Sequence, residues 1–265
     1  MSVVNSLVTD HVAISCPRDQ VFIPCYASSS MKESKIGGEP LRSSGRTLGI
    51  MAISLGIFTV GYNQWWMFPV RLFVTTLHES GHAFFCLITG GHVSGLRIFA
   101  DGSGVTMTRG GLTLLVLSGG YLGSAFFGAC ILRASTHRSI GRYLHHILAT
   151  VLVAMTMLFA RSLFTATFML LTAAALSAGV GRLSLSSRQN FFLGLGTVTG
   201  MTALGDIRML FLGHGEGTVG GKPMLSDAQA LAQLSHIPAL FWALLWGIVA
   251  LIVLYRVTLK TLESR

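Results

Sequence analysis

Long apolar runs separated by short polar interruptions fill the chain from Leu48 to its end. A helix needs about 20 residues to cross the hydrocarbon core of a bilayer, and most of these runs are of that length. The pattern predicts an all-α polytopic membrane protein with six or seven transmembrane helices, because only Arg161-Ser162 interrupts the stretch from 144 to 180. The runs cover residues 48–66, 69–90, 111–132, 144–160, 162–180, 191–212 and 237–258.

The linker at residues 93–109 has a different pattern. Two short runs rich in apolar and β-branched residues flank Ala100-Asp101-Gly102-Ser103. Asp-Gly between two such runs is typical of a β-hairpin turn. We therefore expect a short β-hairpin directly after the second apolar run, with backbone edges that water or protein must cover.

The first 46 residues are polar and contain three prolines and the serine run 28–30. They lack the apolar core and small-residue cleavage site of a secretory signal. We expect residues 1–46 to form a disordered N-terminal extension and residues 47–265 to form the transmembrane domain. Translation starting at Met31 is an alternative that would shorten this extension.

Composition supports a membrane location and limits the classes of partner that the protein is expected to bind. Hydrophobic residues make up 51% of the chain and charged residues 11%, whereas soluble domains carry about 25% charged residues. The 19 basic residues exceed the 10 acidic ones, but they are scattered singly between apolar runs. A nucleic-acid partner would favour a basic stripe, so none is expected. The lipid bilayer is the expected environment of the protein. The charges do not assign an orientation of the chain across it, because basic residues occur at both ends of the apolar runs.

The second apolar run contains the motif His78-Glu79-Ser80-Gly81-His82. On a helix, residues four positions apart lie on one face, so both imidazoles can bind one ion. Glu79 is then placed to take a proton from a water beside that ion. Imidazole and carboxylate suit Zn²⁺. The alternative is a buried histidine pair without metal.

A catalytic zinc site needs a third protein ligand. After residue 40, Glu79 and Asp206 are the acids that lie within long apolar runs, and an ionisable residue inside a membrane indicates function. Elimination favours Asp206 as the third ligand, with His92 as its main rival. For Asp206 an ion pair with Arg208 is the structural alternative.

The stretch HESGHAFFCLITGGHVSGLRIFADGSGVTMTRGG (78–111) resembles the zinc-motif region of the site-2 protease family of intramembrane metalloproteases. It is closest to a subgroup with H-E-x-G-H-A, T-G-G and D-G-x-G-V-T motifs. GGYLGSAFFGA (119–129) and SDA (226–228) are also similar to that subgroup. The resemblance implies that His78 and His82 bind zinc, that Glu79 activates water, and that a later Asp, matched here by Asp206, completes the site.

Two functions therefore remain open at this point. The first is an intramembrane zinc endopeptidase that hydrolyses peptide bonds of membrane-embedded or membrane-associated protein substrates. The second is a non-proteolytic metal-binding membrane protein or transporter. The motif context favours the endopeptidase.

Overall fold

The computed structural model describes residues 44–211, 216–219 and 221–263. The predicted N-terminal extension lies almost entirely outside the described residues. Eight α-helices and two small antiparallel sheets occur in the described ranges. The helices are α1 (Ser44–Gly61), α2 (Phe68–Ile88), α3 (Thr113–Thr136), α4 (Arg138–Phe159), α5 (Leu163–Ala174), α6 (Leu185–Phe211), α7 (Asp227–Ser235) and α8 (Ala239–Glu263). The strands are β1 (His92–Ile98), β2 (Gly104–Arg109), β3 (Glu216–Val219) and β4 (Lys222–Leu225).

Seven of these helices coincide with the seven apolar runs, so the all-α multi-pass membrane fold is confirmed. Within the described chain, five helices are long and apolar enough to span a membrane: α1, α3, α4, α5 with its continuation to Arg182, and α8. Large apolar side chains on their outer faces are exposed, as at Val60 and Leu163. A soluble protein does not display such faces, whereas a lipid-facing surface requires them.

Residues 144–180, which were predicted to form one or two spans, belong to two separate helices, α4 and α5. The chain breaks at residues 160–162, and Ser162 caps α5 by accepting a hydrogen bond from the Thr165 N–H at 3.1 Å. After α5 the helix widens into a π-helical turn at Ala175–Gly179 and then tightens into a 3₁₀ turn at Val180–Arg182. The membrane core therefore has seven long helices in its described part.

Helix α3 is the central helix and packs against α2, α4, α6, α7 and α8. Small residues allow two of these contacts. A methyl group on Gly123 would lie 2.6 Å from the Cα of Gly81 on α2, and one on Gly128 would lie 2.6 Å from the Cα of Gly200 on α6. Such close backbone approach is how membrane helices associate without a hydrophobic driving force between them.

The predicted hairpin is present as β1 and β2, paired from His92–Arg109 to Ile98–Gly104. The connection between α4 and α5 covers the outer edge of β1. The Arg161 N–H donates to the Leu96 carbonyl at 3.1 Å, and the Thr165 hydroxyl accepts from the Ile98 N–H at 2.8 Å. In the described chain β2 pairs only with β1, so its second edge is left for another partner. The second hairpin, β3–β4, was not predicted from the sequence.

Two tryptophans differ in their exposure. Trp65 is 84% exposed beside the start of α2, as an interfacial residue would be. Trp246, in the first half of α8, is only 3% exposed. Helix α8 directs this indole towards Ser118 on α3.

Candidate metal centre

Helix α2 carries the HExxH motif, and the turn that ends this helix is built from the neighbouring T-G-G sequence. The Thr89 hydroxyl donates to the Phe85 carbonyl at 2.7 Å and accepts from the Leu112 N–H at 3.1 Å. Gly90 has φ +79°, a left-handed conformation that favours glycine. The turn thus ends α2 and ties it to the start of α3.

The two imidazoles converge as the motif predicts. His78 Nε2 lies 3.3 Å from His82 Nε2. The His82 Nδ1–H donates to the Val116 carbonyl on α3 at 2.7 Å. This bond fixes the tautomer and leaves the lone pair of Nε2 directed at His78, which is the role of the outer partner of a metal-binding histidine.

Glu79 is buried at 5% exposure, and its carboxylate is held by the first hairpin. The Thr106 hydroxyl on β2 lies 2.6 Å from Glu79 Oε2 and 2.9 Å from the Glu79 backbone carbonyl. Gly104 lies beside the other carboxylate oxygen, where a methyl group would be 2.9 Å from Oε1. Within the D-G-x-G-V-T motif, Thr106 therefore orients Glu79 and Gly104 leaves space around Oε1.

A third candidate ligand comes from a helix that sequence reasoning did not consider. Asp227 Oδ2 lies 3.3 Å from Nε2 of both His78 and His82. Asp227 is the first residue of α7, and Ser226 and Gln229 form a capping box that fixes this helix start. Ala228 and Leu231 anchor α7 by packing with Trp246 against α3.

These groups can meet only if α3 has no side chain projecting towards the motif at this position. A methyl group on Gly120 would lie 2.5 Å from both His78 Cε1 and His82 Nε2. The neighbouring Tyr121 packs edge-on against the His78 ring at 5.0 Å and stacks on Trp246 at 4.8 Å. Trp246 in turn donates its indole N–H to the Ser118 hydroxyl at 3.0 Å. Helix α8 thus supports the site through α3.

The donor set fits a zinc ion. Two imidazole nitrogens and one carboxylate oxygen lie within 3.3 Å of one another. Ligand atoms of His78, Glu79 and His82 also lie within 4.8 Å of one another. Two His and one carboxylate are a known ligand set for catalytic zinc, with the fourth position open.

The structure brings only some of the sequence-predicted site residues together. It brings His78, Glu79 and His82 together. His92 is exposed at the start of β1 and is not part of this cluster in the described chain. Asp206 belongs to α6, but its side chain lies outside the described residues. Its role as a ligand therefore stays a prediction.

Asp227 was not predicted from the sequence, because it lies outside the long apolar runs in which an acidic residue indicates function. The nine-residue helix α7 lies between two such runs and reaches the metal motif from outside them. Two signals in the sequence point to it: the S-x-x-Q capping pattern at Ser226–Gln229 and the SDA similarity at 226–228.

A cavity of about 590 Å³ lies over the motif. One wall is β2, the opposite wall is the β3–β4 hairpin with the start of α7, and the floor is α2 with α3. Asp101 at the tip of the first hairpin accepts hydrogen bonds from Ser103 and from the Gly221 N–H of the second. Partial burial raises the pKa of Asp101, but these hydrogen bonds outweigh it and hold the pKa below its ordinary value.

Comparison with known proteins gives a match to one family model. The family model described as Peptidase M50B-like matches residues 50–257, which include every residue of the site and all seven long helices except for their outermost turns. No curated protein and no solved structure gives a significant match to the chain. Because the family match covers most of the chain, the protein belongs to the Peptidase M50B-like group of the site-2 protease family and is a membrane metallopeptidase.

Proposed function

We propose that the protein is an intramembrane zinc endopeptidase acting on membrane-embedded or membrane-associated protein substrates. The observation that carries the proposal is the convergence of His78 Nε2, His82 Nε2 and Asp227 Oδ2 beside the buried carboxylate of Glu79. The group opens on a cavity, as a catalytic site must, whereas a structural metal site is closed by its protein ligands.

His78, His82 and Asp227 would hold the zinc. When bound, zinc supplies a Lewis acid that polarises a substrate carbonyl and acidifies water. The Val116 carbonyl keeps His82 in the tautomer that offers Nε2 to the metal. Asp227 supplies the negative charge that compensates a divalent cation in surroundings where an unpaired charge is costly.

Glu79 is the proposed general base. The Thr106 hydroxyl engages Oε2, so Oε1 beside Gly104 is the atom placed to take a proton from the attacking water. The same carboxyl group can then deliver this proton to the leaving amine. Burial of Glu79 excludes bulk water from this exchange.

The unpaired edge of β2 is the proposed substrate-binding element. Gly104, Val105, Thr106 and Thr108 of this strand line the cavity, while the α4–α5 connection covers only the β1 side of the hairpin. An extended peptide can add to a free strand edge through main-chain hydrogen bonds. A helical substrate must first unwind, because its carbonyls are engaged within the helix.

The test is the variant Glu79→Gln in purified protein, with Glu263→Gln at the exposed end of α8 as the matched control. Glu79→Gln should retain about one zinc per chain and lose cleavage of a single-span substrate by at least about 100-fold, since it lacks the proton acceptor. Glu263→Gln should behave as wild type. Normal cleavage by Glu79→Gln would disprove the general-base role. A wild-type protein that binds zinc but cleaves no candidate would favour metal binding or transport instead.

A further inference from the structure

A second cluster of polar side chains lies at the end of the bundle opposite the hairpins. It is built where α4 begins, where the π-helical and 3₁₀ turns follow α5, and where α6 begins. The side chains of His145, His146, Ser177, Arg182 and Arg188 make its contacts, and Arg142 contributes its backbone carbonyl. Nothing in the metallopeptidase mechanism uses them, because the metal site is reached from the hairpin end.

Arg188 joins the three elements. Its guanidinium donates to the Arg142 carbonyl at 2.8 Å and to the Leu183 carbonyl at 3.1 Å, and it lies 3.4 Å from His145 Nδ1. Its Nε–H is buried and has no hydrogen-bond partner in the described chain. A buried donor left without a partner is rare and indicates a missing acceptor.

The sequence around the cluster is basic. The sequence has no Asp or Glu between Asp101 and Asp206, whereas every charged residue in that interval is an arginine. Among the described residues, no carboxylate forms an ion pair with the cluster. Arginine, with its planar fork of donors, is the residue that binds phosphate in a bidentate manner.

The residues around the π-helical turn are accessible. Arg142 and Arg182 are exposed, and the Arg182 guanidinium donates to the Ala178 carbonyl of the π-helical turn at 2.6 Å. π-helical turns occur frequently at functional sites. His146 is exposed too, with Nδ1 3.2 Å from the Ser177 hydroxyl.

An apolar stripe leads from the cluster along the membrane-facing side of α4. Tyr143, Ile147 and Val151 are spaced four residues apart and are 56%, 47% and 50% exposed. Residues at this spacing lie on one helix face. An acyl chain can pack along this stripe while the lipid headgroup lies at the arginines. A free phosphate ion would make no use of the stripe.

From these contacts we infer that the arginine cluster is a binding site for the phosphate headgroup of an anionic phospholipid. Arg142 and Arg182 would contact the phosphate from the exposed side, Arg188 from below, and the α4 stripe would pack against one acyl chain. The inference is independent of the proposed peptidase mechanism, because it involves neither the metal site nor the cavity.

Native mass spectrometry of the purified full-length protein in neutral detergent tests this site. The probes are phosphatidylglycerol, phosphatidylcholine and inorganic phosphate. Wild type should retain phosphatidylglycerol in preference to phosphatidylcholine. The double variant Arg142→Gln/Arg182→Gln should bind phosphatidylglycerol about 30-fold more weakly, at roughly fivefold for each arginine near the membrane surface.

Arg256→Gln is the matched control, because Arg256 is an exposed arginine in the last part of α8, towards the same end of the bundle. It should bind phosphatidylglycerol as wild type does. If the double variant fails to fold, Arg142→Gln alone is tested in its place. The exposed guanidinium of Arg142 has no hydrogen-bond partner in the described chain, so its removal should not disturb folding. An equal loss in Arg256→Gln, or no preference for the anionic lipid, would overturn the site. Displacement of the lipid by millimolar inorganic phosphate would show a free-anion site and overturn the lipid assignment.

Discussion

At the scale of single residues, two side chains of the candidate centre are each held by a polar contact from another part of the chain. The Val116 carbonyl orients His82 and the Thr106 hydroxyl orients Glu79, while the capping box fixes the start of the helix that carries Asp227. Gly120 contributes by having no side chain, since a methyl group there would overlap both imidazoles. The HExxH motif identifies the candidate ligands, but these neighbours determine how they are oriented.

The identity of the third ligand can be tested by comparing two substitutions that remove one carboxylate each. Asp227→Asn should lower zinc affinity by more than about 100-fold, because loss of a direct ligand exceeds the 10–100-fold effect typical of outer contacts. Asp206→Asn should leave zinc affinity unchanged. Metal content measured by mass spectrometry after equilibration with a zinc buffer distinguishes them. Depletion in Asp206→Asn alone would return the role to the residue chosen by elimination from the sequence.

At the scale of elements, the two hairpins convert a metal motif on a helix into a cleft. The α4–α5 connection occupies the outer edge of β1, and therefore the edge of β2 is the one that faces the cavity. The second hairpin leads directly into Ser226 and Asp227, so it both forms a wall and delivers a candidate ligand. Hairpin formation and site assembly are thus coupled.

Removal of the hydroxyl that the first hairpin contributes should separate catalysis from metal binding. Thr106→Val should reduce kcat by roughly 10- to 100-fold with zinc content unchanged, because the Glu79 carboxylate loses its orienting donor. Thr106→Ser should restore most of the rate. Thr108→Val is the matched control, since Thr108 lines the same cavity on the same strand but is exposed. Equal loss of kcat in Thr108→Val would mean that the strand edge, and not the hydroxyl contact, is responsible.

At the scale of the whole molecule, a bound metal would connect α2 with α7, which lie far apart in the sequence: His78 and Asp227 are separated by 149 positions. Helix α7 is otherwise held mainly by Ala228 and Leu231 against α3 and Trp246. Binding of a ligand to the folded state alone stabilises that state by mass action. The metal is therefore expected to contribute to the stability of the assembled fold and not only to catalysis.

Chelation of zinc should accordingly lower the Tm of the detergent-solubilised protein by several degrees. Free zinc at 100 times its Kd adds about 2.7 kcal/mol to the free energy of unfolding, and chelation removes this contribution. Scanning fluorimetry with and without chelator measures the shift. The variant His78→Ala should start at the lower Tm and show no further change. A chelator effect of the same size in His78→Ala would place the stabilising metal elsewhere.

Much of the architecture could be predicted from local sequence. The seven apolar runs correspond to seven helices, because membrane insertion requires about 20 apolar residues in succession. The Asp-Gly turn at 101–102 gave the first hairpin, since that turn chemistry is local. The second hairpin was missed because its strands have only four residues each and lack a distinct alternation.

The sequence by itself determined the membrane environment, the helices, the first hairpin and the pairing of His78 with His82, because periodicity and i to i+4 spacing are properties of neighbouring residues. Only the tertiary structure placed the Asp227 carboxylate beside them and the Thr106 hydroxyl beside Glu79. Asp227 and Thr106 lie 149 and 27 residues from their partners His78 and Glu79, and packing around α3 brings them together. The arginine cluster has the same origin, since Arg142 and Arg188 meet only where α4 and α6 begin at one end of the bundle. Contacts over such distances depend on how the helices pack, which no local pattern records.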